Sequence, residues 1–297
     1  VATPREVLDQ LVRTVCGRAP QRWVALGGGG MNETSRVELD GGGAVVVRVA
    51  RHEQPWFVDE AALMERARAA GLPTAQVLAL EHLDDEDGVL SVSVQTLLPG
   101  RPLEDVGAGL DREHRERLVV EAGEVLARIH ALDPDRGEVH RLRAPAEEDL
   151  ERARRTVATA LGPEAAEVVD RAAAFVAAAR TRRPEPDLRL AQGDFMPKNL
   201  LVHEGRISGV VDWEFAGPAP PAFDLARWEV SAGPPWHDET APLHRGYARV
   251  SDPEAAAAGL VPAYALDWAL EKLAWREPAT PAQVRRCVEV VVRHAGP

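Results

Sequence analysis

The chain has 297 residues, 45% of them apolar and 28% charged, a composition that excludes a disordered chain and leaves room for one large domain or two lobes. Thirty-five basic residues against 47 acidic ones give a formal charge of -12 without a basic segment, which opposes binding to the phosphates of nucleic acid, so no nucleic-acid partner is expected. The longest purely apolar run, 172–179, is far below the roughly 20 residues of a membrane helix, and the first residues lack the basic-then-apolar layout of a signal peptide; no membrane partner and a cytoplasmic location are expected.

Thr3, Pro4 and Glu6 resemble a capping box with proline at the first helical position, and Val7, Leu8, Leu11, Val12 and Val15 follow helical spacing to a stop near Gly17. Short β runs follow at 22–26, 34–39, 44–50, 76–82 and 89–94, with turn signals at 40–43 and 84–88. A helix over 57–70 interrupts them and ends at Gly71-Leu72-Pro73. Pro99, Gly100 and Pro102 mark a connector, so the chain is divided into 1–97 and 98–297. Helical spacing then recurs at 115–131, 147–160 and 164–180. A β interruption spans 188–212, its runs at 199–203 and 206–211 flanking Glu204-Gly205, and helices resume from Phe223. The expected fold is α+β: a five-stranded antiparallel sheet with a helix, then a mainly helical lobe. Cys16 and Cys287 lack the spacing of a disulfide framework or a zinc site.

The informative stretch is Gln192-Gly193-Asp194-Phe195-Met196-Pro197-Lys198-Asn199, followed at the end of a short apolar strand by Asp212-Trp213-Glu214. Asn199 and Asp212 offer the hard oxygen ligands that Mg²⁺ prefers, which leaves Asp194 to accept a proton from an attacking hydroxyl. Asp-x4-Asn is also the spacing of the protein-kinase catalytic loop.

With these motifs the chain resembles the aminoglycoside phosphotransferase family, kin to choline, homoserine and macrolide kinases, over nearly its whole length. In that family a His-Gly-Asp-x4-Asn loop precedes a strand ending in Asp-Trp-Glu and then a Gly-Asp-Pro-x-x-Asp-Leu-Ala segment. Here the order is Gln192-Gly193-Asp194 to Asn199, Asp212-Trp213-Glu214, and Ala219-Pro220-Pro221-Ala222-Phe223-Asp224-Leu225-Ala226. Gln192 replaces the usual histidine and Ala219-Pro220 replaces Gly-Asp.

The resemblance implies a bilobal protein-kinase-like fold and a Mg²⁺-dependent O-phosphotransferase. It would move the γ-phosphoryl group of ATP or GTP to the hydroxyl of a small molecule, an antibiotic or related natural product. By the same resemblance, residues 1–97 bind the nucleotide, through a glycine-rich loop with Gly28, Gly29, Gly30, Asn32 and Thr34, through Arg48 in place of the usual lysine, and through Glu60 as its ion-pair partner. Gln95 and Leu97 belong to the hinge that meets the base. Gln192 and Asp224 support the catalytic loop. Lysine occurs only at Lys198 and Lys272; Lys198 is either a phosphate contact or a solvated side chain, and His130 is a packed or capping histidine. Acceptor-binding candidates are Glu214, Trp236, Trp268 and Trp275, with Glu229, Asp267 and Glu271 either facing a cationic acceptor or lying on a solvated face. Two alternatives stay open: a nucleotide-binding pseudokinase scaffold, or a metabolic kinase for choline, a sugar or an amino alcohol.

Overall fold

The computed structural model describes residues 5–26, 32–85, 88–182, 187–233, 235–236, 239–252, 259–275 and 279–296. Thr3, Pro4 and the expected phosphate-loop residues Gly28, Gly29 and Gly30 lie outside the described residues. The chain forms two compact units: Val1–Gly100 with Leu201–Glu204 and Ser208–Glu214, and Arg101–Leu200 with Gly205–Ile207 and Phe215–Pro297.

In the first unit, α1 (Arg5–Cys16) precedes β1 (Pro20–Ala25), β2 (Glu33–Leu39) and β3 (Ala44–His52). Then come α2 (Val58–Ala69), β4 (Val77–Asp85) and β5 (Gly88–Thr96). The five strands form one antiparallel sheet in the order β1-β2-β3-β5-β4. Val45, Val47 and Val49 of β3 alternate onto one face, where Leu8 and Val12 of α1 join Val37, Leu39, Leu90, Val92 and Val94 in a core cluster. Arg48 falls between those valines and therefore projects to the opposite face, where Glu60 of α2 meets it. Helix α2 stops where Gly71 takes a φ of 72°, a left-handed conformation that glycine adopts without strain.

In the second unit β6 (Arg101–Pro102) and α3 (Leu103–Val106) lead to α4 (Arg112–His130), whose first turn is capped by the Asp111 carboxylate accepting from His114 N at 2.8 Å. Helices α5 (Glu147–Leu161) and α6 (Glu167–Arg182) follow. The helix expected at 164–180 begins later because Gly162 takes a φ of 100° and Pro163–Ala166 forms a 3-10 turn. Within the β interruption, β7 (Arg189–Ala191) belongs to this unit, whereas the hairpin of β8 (Leu200–His203) and β9 (Arg206–Val210), whose turn puts Glu204 and Gly205 at φ 49° and 74°, falls mostly in the first. The sequence did not lead to one pairing: β10 (Gly217–Ala219) runs antiparallel to β7.

Helices α7 (Ala222–Ser231), α8 (Thr240–Tyr247), α9 (Val261–Ala274) and α10 (Pro281–Ala295) complete the unit, ten helices in all among the described residues. The last is started by a capping box between Thr280 and Gln283. No helix among the described residues is long and apolar enough to cross a membrane.

Helices α4 and α8 meet backbone to backbone at Gly123 and Gly246. A β-carbon on Gly246 would overlap the Val120 carbonyl, and one on Gly123 the Leu243 carbonyl. Backbone cannot yield as a side-chain tip can, so Gly246→Val is expected to lower stability by about 1–3 kcal/mol or more. Gly109→Ala, which meets nothing within 4 Å, should stay within about 0.5 kcal/mol. Urea denaturation of both variants checks this; equal midpoints would refute the close packing.

Candidate active site

The first unit contributes a cluster around Arg48. Its buried guanidinium forms an ion pair with Glu60, lies 3.3 Å from Asp212 Oδ1 and 3.4 Å from Glu214 Oε2, and covers the Phe57 ring at 4.8 Å. Asn32 Nδ2 donates to the same Glu214 oxygen at 2.5 Å. One guanidinium thus faces three carboxylates. Burial pushes the Glu60 carboxyl above the ordinary range against the pull of Arg48, and the charge of Asp212 adds to the rise.

Asp212 takes a φ of 61°, uncommon for a residue with a side chain and typical of a functional turn. Trp213 is buried beneath it and donates from Nε1 to Val210 O at 3.0 Å. Of the other nucleotide candidates, Thr34 pairs in register with Arg48, Gln95 is buried and donates to Ser93 Oγ at 3.1 Å, and Leu97 is exposed. Glu214, proposed from sequence for the acceptor, bonds to Asn32 and Arg48.

The second unit holds loop 192–199. The buried Asp224 carboxylate at the start of α7 accepts from Gln192 N at 2.8 Å and Gly193 N at 2.9 Å, and stands 3.0 Å from His130 Nε2. His130 is packed, its Nδ1 lying 2.9 Å from the Tyr247 hydroxyl. Gly193 has a φ of 91°, and a β-carbon there would overlap the Phe215 carbonyl. Gln192 braces the loop directly, since its Oε1 accepts from Asp194 N at 2.9 Å.

Asp194 is buried, its side chain 4% exposed. Its Oδ1 accepts from Arg227 Nε at 2.7 Å, with Nη2 at 2.5 Å. Oδ2 accepts from Asn199 Nδ2 at 2.9 Å and stands 3.0 Å from Lys198 Nζ. Burial alone would raise the pKa of Asp194, but the charges of Arg227 and Lys198 outweigh it and hold the carboxyl below its ordinary value. The group is therefore ionised at neutral pH. Lys198 is thus engaged by a carboxylate, one of the partners the sequence did not name.

The model of the phosphotransferase enzyme family (APH) matches residues 22–258. The chain belongs to this family. It is a phosphotransferase, and its fold is that of solved relatives. A thermostable mutant of the aminoglycoside phosphotransferase APH(4)-Ia is 20% identical with a TM-score of 0.67, over 97% of this chain and 100% of that one. Spectinomycin phosphotransferase APH(9)-Ia, solved with ADP and spectinomycin, is 11% identical with a TM-score of 0.69, over 98% of each chain. Amicoumacin kinase hAmiN, solved with AMP-PNP, Ca²⁺ and Ami, is 13% identical with a TM-score of 0.66, over 99% of this chain and 97% of that one. No curated protein matches the chain in sequence.

Of the tryptophans proposed for the acceptor, only Trp268 of this phosphotransferase touches a group bonded to Asp194 among the described residues: the Arg227 guanidinium lies 4.0 Å from its ring centroid. Trp236 is a core residue packed on Gly107, and Trp275 is 61% exposed at the end of α9. Glu229 lies neither on a solvated face nor in an acceptor wall. It is buried and binds Arg293 at 2.7 Å and His294 at 3.0 Å, which ties α7 to α10. Sequence reasoning missed Arg227, although its position three residues after Asp224 on a helix puts both side chains on one face.

Beside Trp268, burial pushes the Asp267 carboxyl up to about 7; Glu271 one turn on adds to the rise, and Arg143 and Arg180 oppose it. The folded protein therefore binds this proton more tightly than the unfolded chain, whose carboxyl titrates near 3.8, and stability falls as pH rises between those values. Asp267→Asn is expected to flatten that fall and to be more stable than the wild type at about pH 8. Urea unfolding at about pH 4 and 8 tests this, and parallel curves for the two proteins would contradict it.

Proposed function

We propose that this phosphotransferase is a Mg²⁺-dependent small-molecule kinase of the cytoplasm. It moves the γ-phosphoryl group of ATP or GTP to a hydroxyl group of an antibiotic or related natural product, a reaction suited to resistance or self-protection. The observation that carries the reading is loop 192–199. It holds a buried, ionised carboxylate beside an asparagine whose amide nitrogen donates to Asp194 O and Oδ2, both at 2.9 Å. Those bonds turn Asn199 so that its Oδ1 accepts no hydrogen bond from any described residue.

Asp194 receives the acceptor hydroxyl, orients it toward phosphorus and takes its proton. A carboxylate of depressed pKa is a weak base, so orientation is the larger part of its work and the proton leaves late, which suits a loose phosphoryl-transfer transition state. Asn199 Oδ1 and Asp212 are the hard oxygen donors that would hold Mg²⁺. When bound, the ion neutralises charge on the phosphates.

Arg48, oriented by Glu60, grips phosphate oxygens with its planar fork, aided by Gly28, Gly29, Gly30, Asn32 and Thr34. Gln95 and Leu97 meet the base. In this reading residues 1–97 bind the nucleotide, and residues 98–297 carry catalysis and the acceptor site, with Gln192 and Asp224 holding the loop. Trp268, with Asp267 and Glu271 on the same helix, suits a hydroxylated acceptor that also bears positive charge. The ligands of the structurally similar proteins, hygromycin B and spectinomycin, support that kind of acceptor.

Mass spectrometry of the protein with Mg²⁺ and ATP or GTP, against a panel of hydroxyl-bearing antibiotics, sugars and amino alcohols, tests the reading. One compound should gain one phosphoryl group, and Asp194→Ala should lower turnover by at least about 100-fold while nucleotide affinity stays within a few-fold. Asp212→Ala should weaken Mg²⁺-dependent nucleotide binding. An active Asp194→Ala variant would refute the role of the base, and an unchanged binding isotherm would refute the metal role.

A further inference from the structure

Helix α7 holds the Asp194 loop at two points. Asp224, in its first turn, holds the backbone N–H groups of Gln192 and Gly193, and Arg227, one turn later, holds the Asp194 side chain. A single rigid element therefore determines both where the loop runs and how its carboxylate is turned.

The two oxygens of that carboxylate are not equivalent. Oδ1 receives two nitrogens of one guanidinium, and that guanidinium is itself held: Trp268 of α9 covers it at 4.0 Å. Behind Trp268 the Phe223 ring lies at 4.9 Å, and behind Phe223 the His140 ring is stacked at 4.7 Å. The Arg227 side chain is 20% exposed and has no room to swing away without breaking this stack. Oδ2 receives the Asn199 amide and the Lys198 ammonium. The Lys198 side chain is 38% exposed, on a flexible stem that solvent can draw off. An oxygen already engaged by two donors offers little to a third, so a hydroxyl can be accepted only where a donor yields, and Lys198 is the donor free to do so.

We propose that Arg227, locked by Trp268, is the positioning residue of Asp194: it occupies Oδ1 and selects Oδ2 as the oxygen that meets the acceptor hydroxyl when Lys198 withdraws. This rests on the reading of Asp194 given above.

The Asn199 side-chain amide, bonded to Oδ2, reports how the carboxylate is turned. In ¹⁵N-labelled protein its NH₂ resonance pair, identified by its loss in Asn199→Ser, should move in Arg227→Met and return toward its original position in Arg227→Lys. In the same variants, with Mg²⁺, ATP and the compound phosphorylated in the mass-spectrometric panel, Arg227→Met should lower kcat by roughly tenfold to a hundredfold while KM for the nucleotide changes less than about twofold, and Arg227→Lys should restore part of the rate. Where Asp194→Asn is inactive, either quantity unmoved in Arg227→Met overturns the proposal and leaves the role of Asp194 standing. An Asp194→Asn variant as fast as the wild type overturns both. If Arg227→Met fails to fold, Trp268→Leu releases the guanidinium without removing its charge, and the same two readings decide.

Discussion

The carboxylate of Asp224 has no exposed surface, and the whole of loop 192–199 depends on it. A buried carboxylate is tolerable only when its lone pairs are taken up, and here two backbone N–H groups and a histidine do so. Hydrogen bonds to a charged group are worth about 1.5–3 kcal/mol each, enough to hold Gly193 in a left-handed conformation tight against the Phe215 carbonyl. That bend sets the direction in which Asp194 leaves the main chain. The acid at 224 thereby fixes the course of loop 192–199.

The charges of the two units are arranged in two unlike ways. In the first unit one buried guanidinium, Arg48, is shared by Glu60, Asp212 and Glu214. In the second unit Asp194 is saturated by Arg227, Lys198 and Asn199. The proposed phosphoryl transfer draws on both: a guanidinium that can grip phosphates, and a base held still until an acceptor arrives. Arginine serves where lysine might have stood, in keeping with a chain that has only two lysines, and its planar fork holds a carboxylate at a defined angle as a single ammonium does not.

Much of this was legible before the fold was known. The five strands announced themselves through alternation and turn glycines, and the loop through Asp194 and Asn199 at their five-residue separation. Departures from the family pattern were legible as letters but not as consequences. Gln192, a doubtful substitution on paper, braces Asp194 through its side-chain oxygen. The strand pair of Arg189–Ala191 with Gly217–Ala219 was not foreseen, because three residues around a proline carry no periodic signal. The tryptophans could not be sorted by spacing: Trp236 is core, Trp275 is exposed and Trp268 alone covers Arg227.

The sequence by itself determined the kinds of groups available and their order: one acid and one amide on a short loop, a second acid after a strand, an arginine on a central strand and an acid on the helix that follows. Those facts are local, and local spacing is what a sequence states directly. Only the tertiary structure decided the partners. Arg227 with Asp194, His130 with Asp224, and Glu229 with Arg293 and His294 join residues 33, 94, and 64 and 65 positions apart. No periodicity encodes such pairs. They exist because packing the helices buries charges that must then find counter-charges, and which ones come within reach is set by how the helix faces meet.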